Sequence, residues 1–204
     1  MTTFILAGGR SSRMGFDKAF LAFRNQTLLA RTLETATAVA GKVAIVGPRD
    51  RYALYGDVVE DVYADCGPLS GIHAALSATE SDLNLILSVD MPLITAEFLG
   101  WLLEQSRTAS ELIVVPDALG GQQPLCAVYR RPVLAIAERA LKSGDYKIGH
   151  LFPLVPTRYI PEAEICKAGF SPEIFRNVNT AEQYEALVRD EGAALAKGRA
   201  GTRG

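Results

Sequence analysis

From Leu83 to Val89 the chain reads Leu-Asn-Leu-Ile-Leu-Ser-Val, almost uninterrupted in its hydrophobicity and followed at once by Asp90. Near-continuous rather than alternating apolar positions describe a strand covered on both faces, the kind found in the middle of a mostly parallel sheet. Such a sheet needs helices on either side, and the rest of the chain supplies them. Phe4 to Leu6, Val43 to Val46 and Leu112 to Val115 are further apolar strands, with a weaker extended piece at Val58 to Glu60. Leu28 to Val39 places its apolar residues on one helical face behind a Thr27 cap, Ile72 to Ala78 is helical, and another helix runs from about Thr95 to Arg107. Strands separated by helices of this length imply right-handed crossovers and an α/β, three-layer, doubly wound sheet.

After turn residues at Asp117 to Gly121 the order is less regular: a strand at Leu125 to Tyr129, a helix from Pro132 to about Lys142, and an extended piece at Val155 to Ile160. This half is expected to form a small cover on the same sheet. A last helix begins at Thr180, where Thr180 and Gln183 form a T-x-x-Q capping box. The expectation is one domain over residues 1–195, with halves at 1–115 and 116–195, and a disordered tail at 196–204.

The chemistry is concentrated behind the first strand. Residues 6–18 read Leu-Ala-Gly-Gly-Arg-Ser-Ser-Arg-Met-Gly-Phe-Asp-Lys, a glycine pair with two hydroxyls and three cations. Glycines let backbone N–H groups approach an anion, while Arg13 and Lys18 bring mobile positive charge, so the loop suits a polyphosphate. It matches neither G-x-x-x-x-G-K-[ST] nor G-x-G-x-x-G, which argues against a Walker-type ATPase and a standard dinucleotide-binding dehydrogenase. Ligands of an open parallel sheet sit beyond the carboxyl ends of its strands, where both the Gly8-Gly9 loop and Asp90 are expected. A carboxylate held there by a rigid strand suits a hard oxygen ligand for Mg²⁺, and Thr95 is the better cap for the helix that follows.

A net charge of −2 argues against broad nucleic-acid or membrane binding. No apolar run approaches the length of a membrane span, and the N-terminus reads as the first strand rather than a leader. Cys66, Cys126 and Cys166 are odd in number and widely spaced, which fits reduced core residues in a cytoplasmic protein. With only His73 and His150 besides, a zinc site lacks ligands.

The loop resembles the signature L-A-G-G-x-S-x-R-M-G-x-D-K of the nucleotidyltransferases related to molybdenum cofactor guanylyltransferase. Gly67-Pro68-Leu69-Ser70-Gly71-Ile72, Ser88-Val89-Asp90-Met91-Pro92-Leu93, Gln123-Pro124-Leu125-Cys126-Ala127-Val128-Tyr129 and Asn177-Val178-Asn179-Thr180 resemble later motifs of that family in the same order. The resemblance implies a Rossmann-like nucleotidyltransferase fold and transfer of GMP from GTP to the terminal phosphate of molybdopterin, with Mg²⁺ as cofactor and transient contacts to cofactor-delivering and molybdoenzyme-maturation proteins. It implies catalytic roles for Arg13, Lys18 and Asp90, the last also binding metal. Nucleotide contacts would come from Leu6, Ala7, Gly8, Gly9, Lys18, Asp61, Gly67, Pro68 and Asp90. Acceptor contacts would come from Lys147, Asn177 and Asn179. By residue type alone the two asparagines, two apart on an extended segment, fit equally a flat heterocycle, a phosphate or a turn before a helix. Two positions depart from the family: Gly47 stands where relatives often carry a nucleotide-contacting asparagine, and Lys147 where they usually carry arginine. A cytidylyltransferase on the same acceptor and a non-catalytic nucleotide-binding regulator are the alternatives.

Overall fold

The computed structural model describes residues 1–8, 17–63 and 65–200, with side chains as far as residue 190. The chain opens with β1 (Thr2–Leu6), then a 3₁₀ turn at Lys18–Phe20 and a small hairpin of β2 (Ala22–Phe23) and β3 (Gln26–Thr27). There follow α1 (Leu28–Thr37), β4 (Val43–Val46), the single-turn α2 (Arg49–Tyr52), β5 (Val58–Val59), α3 (Pro68–Ser77) and β6 (Leu83–Ser88). The remainder comprises α4 (Ala96–Thr108), β7 (Ile113–Ala118), β8 (Gly121–Gln122), β9 (Cys126–Arg130), α5 (Val133–Ser143), β10 (Thr157–Pro161), α6 (Glu162–Lys167) and α7 (Ala181–Ala200).

The main sheet has the order β10-β7-β9-β6-β1-β4-β5, with β8 paired to β7. β6 lies in its middle, parallel to β1 through pairs such as Ile5↔Leu87 and Leu6↔Ser88. Successive side chains of these strands point to opposite faces. Ile5, Ile45, Leu85 and Leu87 join Leu29 of α1 and Phe98 and Leu102 of α4 in one core layer. Phe4, Leu6, Val46 and Ile86 join Ile72 and Leu76 of α3 and Val133 and Ala137 of α5 in the other. Each large side chain so buried contributes about 1.5–3 kcal/mol, which is why β6 tolerates almost no polar residue. Asn84 and Ser88 are the exceptions, and Asn84 Nδ2 donates to the Ser81 carbonyl at 2.9 Å.

Two expectations need correction. β6 is not flanked by parallel strands on both sides: β9 inserts antiparallel between β6 and β7. The second half of the chain therefore supplies β9 and β10 to the sheet instead of merely covering it. Second, β7 extends through Asp117 and Ala118, leaving a two-residue turn at Leu119-Gly120 with φ of 54° and 78°. Glycine suits such a mirror-type turn, whereas leucine in this left-handed conformation costs about 1–2 kcal/mol. The last element, α7, runs from Ala181 to Ala200.

The caps fall where expected. Thr27 Oγ1 accepts from Ala30 N at 3.1 Å, Thr95 Oγ1 accepts from Phe98 N at 3.3 Å, and Thr180 with Gln183 forms the reciprocal box at the start of α7. None of the three cysteines is in a disulfide; Cys126 is buried, Cys66 half-buried and Cys166 exposed, so only the first is a core residue. Among the described residues no helix is long and apolar enough to cross a membrane.

Candidate active site

The carboxyl ends of β1, β4 and β6 lie along one edge of the sheet, where the order reverses around β1. At β1 and β4 the backbones nearly touch. Ala7 N and Gly8 N both donate to the Val46 carbonyl at 3.1 Å, and a Cβ on Gly8 would lie 3.3 Å from the Gly47 Cα. A Cβ on Gly47 would lie 2.8 Å from Tyr52 Cε2 and 3.1 Å from Gly8 N. Gly47 is thus a matched partner of Tyr52, whose ring fills the room that a side chain there would need. Gly47→Asn is expected to cost about 1–3 kcal/mol of stability through overpacking, read as a lower denaturant midpoint. An unchanged midpoint would contradict this packing.

Tyr52 is a part of the site that sequence reasoning missed. Its hydroxyl donates to Asp17 Oδ2 at 2.7 Å and lies 3.0 Å from the Ala7 carbonyl. Burial, followed by the hydrogen bond to Asp17, pushes the phenol upward, so it remains a proton donor. Asp17 in turn accepts from Ala19 N at 3.0 Å and so caps the turn that carries Lys18. Tyr52 stands in a polar segment, Arg49-Asp50-Arg51-Tyr52, with no motif to single it out.

Lys18 and Asp90, 72 positions apart in the sequence, meet beside the Asn177–Thr180 segment. Lys18 Nζ donates to Asn179 Oδ1 at 3.0 Å, and Val178 N donates to the Asp90 carbonyl at 2.9 Å. Asp90 is half-buried. Loss of water is the main influence and pushes its carboxyl upward, while a hydrogen bond from the Ser88 hydroxyl and the Lys18 charge pull it down. Around them the frame is tied closely. Gln183 Oε1 accepts from Asn179 N at 2.7 Å, Tyr184 donates to the Ala22 carbonyl at 2.5 Å, and Arg31 Nε donates to the Pro92 carbonyl at 2.5 Å. Edge-to-face contacts of Phe98 with Phe170 and Phe175 seat the chain leading into Asn177.

On the other side of β1, α3 packs its first turn close to the strand ends: a Cβ on Gly71 would lie 3.0 Å from Leu6 Cδ2. Gly67 precedes the helix with φ of 70°, Pro68 occupies its first turn, and no side chain caps it. Its free N–H groups suit an anion. Ser70 Oγ lies 2.7 Å from the Gly67 carbonyl and 3.2 Å from Asp61 Oδ2. Partial burial pushes Asp61 upward and the Ser70 hydrogen bond opposes it.

The expected site residues therefore fall into groups. Lys18, Asp90 and Asn179 come together, with Asn177 lining an adjoining cavity of about 460 Å³. Ala7 and Gly8 lie at the end of β1, but their N–H groups are taken by the Val46 carbonyl and the Ala7 carbonyl by Tyr52, while the Leu6 side chain is in the core and its carbonyl accepts from Val89 N. Asp61, Gly67 and Pro68 gather at the start of α3. Lys147 lies on that side, since neighbouring Tyr146 hydrogen-bonds Cys66. Gly9 and Arg13 lie outside the described residues. Arg130 is tied to the carbonyls of Glu111 and Ala109 at the opposite edge of the sheet, and exposed His150 pairs with Asp145 at 2.9 Å.

No group of three His, Cys, Asp or Glu side chains able to hold a metal occurs among the described residues. A lone half-buried carboxylate beside a lysine instead fits a cation that keeps most of its contacts to water and substrate phosphates, the habit of Mg²⁺.

Known proteins resemble this chain over most of its length. Residues 3–153 match the family model described as "MobA-like NTP transferase domain". A "Probable molybdenum cofactor guanylyltransferase" of Pelotomaculum thermopropionicum is 35% identical over 181 residues, covering 88% of this chain and 87% of its own length. A "Molybdenum cofactor guanylyltransferase" of Syntrophotalea carbinolica is 34% identical over 194 residues, covering 91% and 89%. The crystal structure of molybdopterin-guanine dinucleotide biosynthesis protein A from Archaeoglobus fulgidus superposes with a TM-score of 0.82 over 95% of this chain and 100% of that one; at 23% identity it speaks to the fold. The ends of β1 and β4 beside the start of α3 at the switch point of a mostly parallel sheet, a carboxylate after its central strand, and these matches over most of the chain lead to one conclusion: this chain is a nucleotidyltransferase that belongs to the MobA-like NTP transferase family.

Proposed function

We propose that the chain transfers GMP from GTP to the terminal phosphate of molybdopterin, releasing pyrophosphate. The names of its relatives support the substrates. The observation that carries the reading is the Lys18–Asn179 hydrogen bond beside Asp90, because it couples the nucleotide loop to the segment proposed to hold the acceptor.

The phosphate of the acceptor attacks the α-phosphorus of GTP in line; a new P–O bond forms as the bond to pyrophosphate breaks. With a second pKa of about 6, a phosphate monoester is already mostly a dianion at neutral pH, so no general base is needed. Lys18 neutralises charge growing on the leaving phosphates, and N–H groups at the start of α3 hold the nucleotide in place. Asp90 would hold Mg²⁺, which supplies charge neutralisation across the phosphate oxygens. Asn177 and Asn179 orient the acceptor, Arg13 is assigned with Lys18 to the leaving phosphates, and Gly9 to the nucleotide. Because Gly47 has no side chain, recognition of the base falls to backbone groups around Ala7, Gly8, Gly67 and Pro68. Asp61 and Lys147 are assigned to the nucleotide and the acceptor respectively.

Pyrophosphate release with molybdenum-loaded molybdopterin, run in parallel with GTP and CTP, tests this. Turnover with GTP alone is expected. Turnover with CTP alone would assign the chain to cytidylyl transfer, and nucleotide binding without any turnover would make it a regulator.

A further inference from the structure

Resting on the proposed guanylyl transfer, we infer that Leu119 is a specificity-determining contact that covers one face of the acceptor's flat heterocycle. The cavity next to Asn179 is about 460 Å³ and is lined by Leu119, Gln123, Asn177, Asn179, Gln183 and Leu187, among others. That volume is within the range of small-molecule sites. Its chemistry is amide and hydrocarbon. Arg176 also lines it, but its guanidinium is taken by Asp190 at 2.9 Å and Glu173 at 3.7 Å. Among the described residues no spare cation lines the cavity, and such a lining suits the uncharged ring end of the acceptor, whose donor and acceptor edges match amides and whose faces are apolar. The phosphate end is then directed to Lys18, which reaches the same wall through Asn179.

Leu119 is an unusual residue for its position. It is 47% exposed and occupies a left-handed turn position, φ 54°, that asparagine or glycine would fill more comfortably. The surroundings hold it there. Glu162 Oε2 accepts from Leu119 N at 2.8 Å, and Gln123 Nε2 donates to the carbonyls of Ala118 and Gly121 on either side of the turn at 2.9 and 3.2 Å. A strained backbone position clamped from two directions, presenting an exposed apolar side chain at a cavity mouth, is explained by a ligand face that needs covering.

Leu119→Asn keeps the turn and relieves its strain, so the variant should melt no lower than the parent. Its KM for molybdopterin should rise about tenfold, with kcat and the KM for GTP unchanged, and Leu119→Met should restore the acceptor KM. An acceptor KM within about twofold of the parent, or a GTP KM that rises in parallel, would overturn the inference. Titration of parent and Leu119→Asn with biopterin, followed by its own fluorescence, separates the two claims. Weaker biopterin binding by the variant would support the Leu119 contact even if the parent fails to turn over molybdopterin, whereas equal binding, or none by the parent, would overturn it.

Discussion

Asp90→Asn should reduce turnover by about a thousandfold while leaving the protein at least as stable as before, the scale expected when a group that stabilises transition-state charge is removed. The two halves of that result have one cause. Burial raises the Asp90 pKa in the folded state, so the ionised form is the one the fold disfavours. For a raised carboxyl, the favourable contribution to stability is present below the unfolded pKa and is lost as pH rises through the folded one. At neutral pH an amide removes that penalty, while it also removes the charge that would hold a cation. Turnover and a denaturant midpoint measured at pH 7 check both. A near-normal rate would take Asp90 out of the chemistry, and an unfolded variant would show that its role is structural. In the metal-free protein, Mg²⁺ binding should begin to weaken on acidification at a pH above the ordinary aspartate range, because protonation of this raised carboxyl abolishes the same charge.

Lys18→Ala should weaken GTP binding by about a hundredfold and guanosine binding by no more than roughly threefold, since an ammonium acts on phosphates and not on the base. Equilibrium binding of the two ligands decides it, and equal losses would mean that Lys18 is not a phosphate contact. Because Lys18 also donates to Asn179 at 3.0 Å, the effects of Lys18→Ala and Asn179→Ala on the KM for molybdopterin should not add. A double-mutant cycle with a coupling of about 0.5–3 kcal/mol is expected, as for residues in direct contact.

Much of the architecture was legible because it follows from periodicity and capping. The continuous apolar run of β6, the amphipathic α1 behind Thr27 and the Thr180–Gln183 box are local signals, and each led to the observed element. The position of β9 was not legible. Leu125 to Tyr129 looks the same whether its partners run parallel or antiparallel, and pairing with both β6 and β7 is decided by long-range contacts. The site shows the same division. Asp90 was exposed to view by the abrupt end of an apolar strand, whereas Tyr52 acts through a 45-residue separation from Ala7 and 35 from Asp17. Gly47 likewise gains its meaning only from the ring placed against it. Gln123, the first residue of a motif that drew notice, braces the Leu119-Gly120 turn through the Ala118 and Gly121 carbonyls.

The central claim, that two phosphates are brought together at Lys18 and Asp90 for transfer and not hydrolysis, is tested most directly by following the α-phosphate. With molybdopterin and GTP labelled at that phosphorus, the label should appear in a pterin–guanine dinucleotide in step with released pyrophosphate. Label recovered as free GMP, or remaining in GTP while the acceptor is bound, would contradict it.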